Sequence, residues 1–179
     1  MCPAAAKGIH DVALGMLARR ALSPAEVQQR LLRKGFAPQQ VAAELTRLRR
    51  VGMLEEGELA RAVVREQLRT GHGRRGAAAA LRRRRIARHT GDEALAGIDP
   101  EAEADALASA FAKAARRHPH WQRLPDERRK VIRYLLARGF TGDAVSGAVA
   151  HARSDIRATR RDDIGPSETD DAGDPPEVP

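Results

Sequence analysis

One spacing pattern recurs three times along this chain of 179 residues and limits what the chain can fold into. An apolar residue stands five positions before Phe36 (Leu31) and another nine positions after it (Leu45). The same spacing returns around Ile86 (Leu81, Leu95) and around Phe140 (Leu135, Val149). The first copy, VQQRLLRKGFAPQQVAAEL, reads as helix, tight turn, helix. Gly35 can take positive φ where the first helix ends, Phe36 plugs the turn, and Val41, Leu45 and Leu48 recur at steps of four and three. The third copy, VIRYLLARGFTGDAVSGAVA, repeats it; the second is blurred. The central residues lie 50 (Phe36 to Ile86) and 54 (Ile86 to Phe140) positions apart. Helical self-similarity at that period implies stacked units, each with its own small core. The expected fold is all-α: three tandem three-helix repeats in an elongated, curved array.

Start and stop signals place the units. Residues 1–10 read as a flexible lead-in, 11–54 as repeat 1, 55–98 as repeat 2, 99–153 as repeat 3, and 154–179 as a disordered acidic tail poor in apolar residues. Ser23-Pro24-Ala25-Glu26 is a capping box with proline at the first helical position. Asp99-Pro100 starts another helix, and Thr141 caps the last. The middle copy departs in two ways. Arg85 stands where Gly35 and Gly139 stand, and a non-glycine residue in the left-handed region costs about 1–2 kcal/mol, so a turn of different shape is expected there. Thr90-Gly91-Asp92-Glu93 reads as a second capping box, so the third helix of this unit is expected to start late, with Gly91 in the slot of Val41 and Val145.

The amount of charge matters less than where it lies. The net charge is +8, with 31% of residues charged and 42% hydrophobic. Residues 1–98 carry 19 Lys/Arg against nine Asp/Glu, whereas residues 153–179 carry four against eight. A basic N-terminal half points to a polyanionic partner: nucleic acid, or an acidic protein or nucleoprotein surface. The densest cluster is Arg82-Arg83-Arg84-Arg85, with Arg74 and Arg75 one helix length earlier. Four consecutive arginines cannot share one helix face, and guanidinium groups bind carboxylates and phosphates in bidentate fashion. A second cluster, Arg47, Arg49 and Arg50, ends a helix, where the macrodipole alone would favour it. A third is Arg128, Arg129, Lys130 and Arg133. These arginines are the candidate partner-binding residues.

Other chemistries find little support. Cys2 is the single cysteine, so no disulfide framework or cysteine-based zinc site can form within one chain. His118 and His120 flank Pro119 without metal-site spacing around them. There is no P-loop, no G-x-S-x-G and no catalytic dyad spacing, so neither an enzyme nor a cofactor is expected. No apolar run approaches the roughly 20 residues that span a bilayer, and a soluble, cytoplasmic, monomeric protein is expected. After Phe36 the second helix offers Gln39 and Gln40 but then Ala42, Ala43 and Glu44, and after Phe140 it offers Asp143, Ser146 and Gly147, so neither presents the combined basic and amide face of a recognition helix. With five aromatics in the chain, a stacking platform for single strands is missing too. Trp121 reads as a packing anchor. Direct DNA binding is expected to be weak, backbone-directed and salt-sensitive.

The residues from Asp11 to Ala152 resemble the RecX family, the bacterial regulators of the RecA recombinase. The segments that carry the resemblance are LSPAEVQQRLLRKGF with the following helix and GMLEE, LARAVVREQLRTGHGRRGAAAAL, and VIRYLLARGF, in the right order and register. The resemblance implies three tandem three-helix repeats and no catalysis. It implies binding to RecA and to the groove of the RecA–ssDNA filament, with suppression of ATPase, strand exchange and co-protease activity. Some members bind DNA as well. Arg85, the late helix in repeat 2 and the acidic tail depart from the family pattern. The alternatives from the residues alone are a basic, tandem-helical DNA-binding protein acting without RecA, and a helical adaptor for another acidic protein.

Overall fold

The structure, a computed structural model, describes residues 8–162, and side chains through residue 154. Among the described residues there are nine helices and no strand. Repeat 1 comprises α1 (Ile9–Leu17), α2 (Pro24–Arg33) and α3 (Pro38–Arg50). Repeat 2 comprises α4 (Glu56–Arg69), α5 (Arg74–Arg83) and α6 (Arg88–Ala96). Repeat 3 comprises α7 (Pro100–Arg117), α8 (Pro125–Ala137) and α9 (Gly142–Asp162).

The recurring spacing has a geometric origin. The Phe36 amide donates to Leu31 O and the Gly35 amide to Leu32 O; Ile86 to Leu81 O and Arg85 to Arg82 O; Phe140 to Leu135 O and Gly139 to Leu136 O. This is the Schellman ending, in which the residue two past the cap bonds back five positions and packs on the residue it bonds to. The apolar pair five apart is therefore one helix terminus written three times. Gly35 (φ 89°), Arg85 (φ 53°) and Gly139 (φ 86°) hold the left-handed residue. The expected change of turn shape at Arg85 is thus corrected. The turn is the same, and the arginine adopts the strained conformation because the backbone bonds and the burial of Ile86 hold it there.

Each repeat closes its own core. Ala13, Val27, Leu31, Val41 and Leu48 are buried in repeat 1. Leu59, Ala60, Ala77, Leu81 and Ile86 are buried in repeat 2, and Trp121, Val131, Leu135, Phe140 and Val145 in repeat 3. Trp121 is 4% exposed and meets Phe111 edge-on, with ring centroids 5.1 Å apart. Leu68 packs against the cores of both repeats 2 and 3, whereas no described residue is shared by the cores of repeats 1 and 2.

Caps follow the sequence with one exception. Ser23 Oγ accepts from the Glu26 amide at 3.1 Å and Glu26 Oε2 accepts from the Ser23 amide at 3.0 Å. Asp99 caps α7 at 3.2 Å and Thr141 caps α9 at 3.3 Å. The capping box expected at Thr90 does not form, and α6 does not start late: its N-cap is Ala87 and it begins at Arg88. Glu56, at the start of α4, supplies the cap instead. Its carboxylate accepts from the Ala87 amide at 3.2 Å and from Thr90 Oγ1 at 3.4 Å. A carboxylate 31 residues away replaced the local one, and Thr90 and Gly91 were freed to be buried.

Both ends differ from the expected boundaries. α1 starts at Ile9, inside the expected lead-in, because Ile9 packs on the repeat-1 core and His10 Nδ1 sits 2.7 Å from the buried Glu44. α9 runs past residue 153 to Asp162; the segment RSDIRATRRD contains no glycine or proline to stop it. The rest of the lead-in and of the acidic tail lies outside the described residues.

Candidate partner-binding surface

The cap residue of α5 is Arg84 and that of α8 is Arg138, so both cations sit at the negative end of a helix. Both also reach out of their repeat in the same way. Arg84 Nη2 donates to Ala21 O at 2.6 Å, two residues before the N-cap of α2. Arg138 Nη1 donates to Gly71 O at 3.2 Å, two residues before the N-cap of α5, and to Thr70 O at 2.8 Å. Each repeat thus clasps the loop that precedes the middle helix of the repeat before it. Lys34 holds the equivalent position in repeat 1.

The two joints differ in strength. At the joint of repeats 2 and 3, backbone meets backbone. The Gly73 amide donates to Arg138 O at 3.0 Å and the Arg75 amide to Gly139 O at 3.1 Å. The free amides of one helix start are satisfied by the free carbonyls of another helix end. A Cβ on Gly73 would come within 2.6 Å of Phe140 Cδ1, and one on Gly76 within 2.5 Å of Arg138 O. The Arg138 guanidinium also lies 4.7 Å from the Tyr134 ring centroid. Burial, with the Arg138 charge second, holds His72 at this joint below the ordinary histidine pKa, which favours its neutral form.

The joint of repeats 1 and 2 is polar. Glu26 takes Arg20 Nη2 at 2.9 Å and Arg84 Nε at 3.3 Å. Burial acts to raise the Glu26 pKa but is outweighed by the Ser23 amide, Arg20 and Arg84 acting together, so the pKa lies below its ordinary value of 4.5. A depressed carboxylate contributes stability above its unfolded pKa and loses it as pH falls through the folded one. Acidification below pH 4.5 is therefore expected to loosen this joint. Arg84→Ala is expected to loosen it at neutral pH, costing about 1 kcal/mol after allowance for solvent screening. Limited proteolysis in the loop between α3 and α4 reads this directly. Equal cleavage of the wild-type and Arg84→Ala proteins at pH 7 would contradict the clasp.

These contacts sort the arginines. Arg84 is half-buried and committed to the joint. Arg74 is largely committed: its side chain donates to Leu95 O at 2.8 Å, its amide to Glu103 Oε1 at 2.8 Å, and it faces the Glu103 carboxylate. Arg75, Arg82, Arg83 and Arg85 are exposed, and their side chains have no hydrogen-bond or ion-pair partner among the described residues. The same holds for Arg47, Arg49 and Arg50 in the last turn of α3. In the third cluster Arg129 pairs with Asp126, Lys130 with Glu127 at 2.6 Å, and Arg128 donates to Gln122 O at 2.9 Å. That leaves Arg133 without a partner there.

Sequence reading missed two things. Arg138 clasps the preceding repeat through two backbone carbonyls, and the column Lys34, Arg84, Arg138 signals it. A cation at a helix end, however, is already explained by the macrodipole. A groove of about 450 Å³ between α1 and α2 is lined by Arg19, Arg20, Arg30 and Lys34 with Asp11. Its residues come from α1, the connection that follows it and the end of α2, and only folding gathers them. Among the described residues no cluster of His, Cys, Asp and Glu is placed to hold a metal, and no helix is long and apolar enough to cross a membrane.

Residues 10–48 match the family model for the first three-helix domain of RecX, and residues 101–149 that for its third. The regulatory protein RecX of Halorhodospira halophila is 37% identical over 155 residues, covering 85% of this chain and 92% of its own length. That of Chromohalobacter salexigens is 34% identical over 150 residues, covering 82% and 94%. The crystal structure of RecX from Lactobacillus salivarius superposes with a TM-score of 0.72 at 18% identity, over 82% of this chain and 94% of that one; at that identity it speaks for the fold alone. With the sequence relatives matched almost end to end, the chain belongs to the RecX family of regulatory proteins.

Proposed function

We propose that this protein binds RecA and the RecA–ssDNA filament and lowers RecA's ATPase, strand-exchange and co-protease activities, thereby modulating recombination, DNA repair and the SOS response. Membership in a family of regulatory proteins, over 85% of the chain with one relative, is the observation that carries this reading. The architecture supports it. Three small cores joined in series present exposed, unpartnered arginines from more than one repeat, so neighbouring filament subunits can be touched at once. Weak individual contacts then gain from effective concentration. The protein acts as a binding regulator without catalysis of its own, and any DNA contact is to the backbone.

The test is RecA's ssDNA-dependent ATPase, titrated with the protein. Turnover is expected to fall with saturation near one protein per several RecA subunits. Unchanged turnover and filament length at saturating protein would sink the proposal. Tight binding to bare duplex across a salt series, without preference for filaments, would instead favour a DNA-binding protein acting alone.

A further inference from the structure

Five residues after the turn plug, the second helix of each pair carries a residue that is buried in all three repeats. In repeats 1 and 3 this residue is Val41 or Val145, each 1% exposed. In repeat 2 it is Gly91, and a groove of about 350 Å³ opens between α5 and α6, a size at which ligand sites begin. Its floor is Leu81, Ile86 and Leu95. A Cβ built on Gly91 would meet only Leu81, at 3.7 Å, which is ordinary contact. Packing therefore leaves room for a side chain here, and helix propensity favours one. The rim carries Arg82, whose side chain has no partner among the described residues, and Arg88, which is 96% exposed and 3.7 Å from Asp92.

We infer that this groove docks an acidic protein segment bearing one bulky apolar residue, which enters where valine sits in the other repeats while flanking carboxylates meet Arg82 and Arg88. The apolar floor decides between polyanions. A phosphodiester backbone gains nothing from Leu81, Ile86 and Leu95, whereas an aliphatic or aromatic anchor does. The basic rim then selects acidic flanks. The inference rests on the proposed function for the source of the segment, a RecA subunit of the filament.

The experiment compares binding to RecA–ssDNA filaments by the wild-type protein, by Gly91→Leu, which fills the groove, and by the double variant Arg82→Glu with Arg88→Glu. Gly147→Leu serves as the control, since a Cβ there would meet nothing within 4 Å. Gly91→Leu is expected to melt no lower than wild type and to bind about tenfold to a hundredfold more weakly. The charge-reversed variant is expected to weaken to a similar degree, and Gly147→Leu to bind as wild type does. A wild-type protein that ignores filaments overturns the RecA reading and, with it, the source of the segment. A wild-type protein that binds filaments no better than Gly91→Leu and the charge-reversed variant overturns the groove alone. If removing residues 163–179 tightens wild-type binding but not that of Gly91→Leu, this chain's own acidic segment is the occupant, and the assignment is likewise overturned.

Discussion

Gly139→Ala is expected to destabilise the protein by roughly 3–4 kcal/mol and to separate repeat 3 from repeat 2 before either core melts. Two costs add, the second forced by a clash. A left-handed residue with a Cβ costs about 1–2 kcal/mol, and Gly139 has φ 86°. The new Cβ would lie 2.1 Å from Gly76 N and 2.8 Å from Arg75 C. These are backbone atoms, which cannot swing aside as a side-chain tip can. Opening the joint to make room forfeits the bonds from the Gly73 and Arg75 amides, each contributing about 1 kcal/mol net. Gly35→Ala is the internal control. Gly35 has φ 89°, but nothing lies within 4 Å of its Cβ, so it should lose only the conformational part. Chemical denaturation followed by circular dichroism, together with the fluorescence of Trp121, compares the two. Equal losses would mean that the close backbone joint is not a source of stability.

The contrast between those two glycines marks how far the sequence can be read. Both are glycines at the same position of the same motif, and the period-like spacing around them shows helix, turn and plug without any structure. The Schellman bonds are local, spanning five residues, so their apolar pair is written locally. What glycine does beyond its turn is not. Gly139 abuts Gly76 across the joint, and nothing in either local sequence says so. The exception at α6 has the same cause. Thr90-Gly91-Asp92-Glu93 is a sound cap signal, but Glu56 reaches the Ala87 amide first. Arg85 shows the opposite failure. Its local cost is real, and the surrounding fold carries it. The candidate surface was legible as composition only. A run of four arginines announces charge, yet which of them is available depends on whether a neighbouring repeat offers a carbonyl, as Ala21 does to Arg84.

Reversing Arg82, Arg83 and Arg85 to glutamate, with Arg84 kept, is expected to reduce filament binding by about a hundredfold and to leave the helical signal and melting temperature near wild type. The magnitude follows from about 1 kcal/mol for each exposed guanidinium that meets an anion. Reversal places repulsion where attraction stood, which raises rather than lowers that figure. Stability is spared because none of these three side chains has a partner to lose among the described residues. Arg85→Glu keeps a Cβ in the same left-handed turn, so strain is not relieved or added. Arg84→Glu alone should behave in the opposite sense. It sets a carboxylate against Glu26, leaves Ala21 O without its donor, and so loosens repeat 1 before it affects any surface contact. If repeat 1 must be held in register with repeat 2 for the protein to touch adjacent subunits, Arg84→Glu will also weaken binding. Arg84→Lys, which keeps a cation against Glu26 and a donor toward Ala21 O, should instead hold repeat 1 in place and bind near wild type. Equal loss of binding from Arg84→Glu and from the triple variant, with the joint equally resistant to proteolysis in both, would show that the four arginines act as one undifferentiated charge and that the division between joint and surface is wrong.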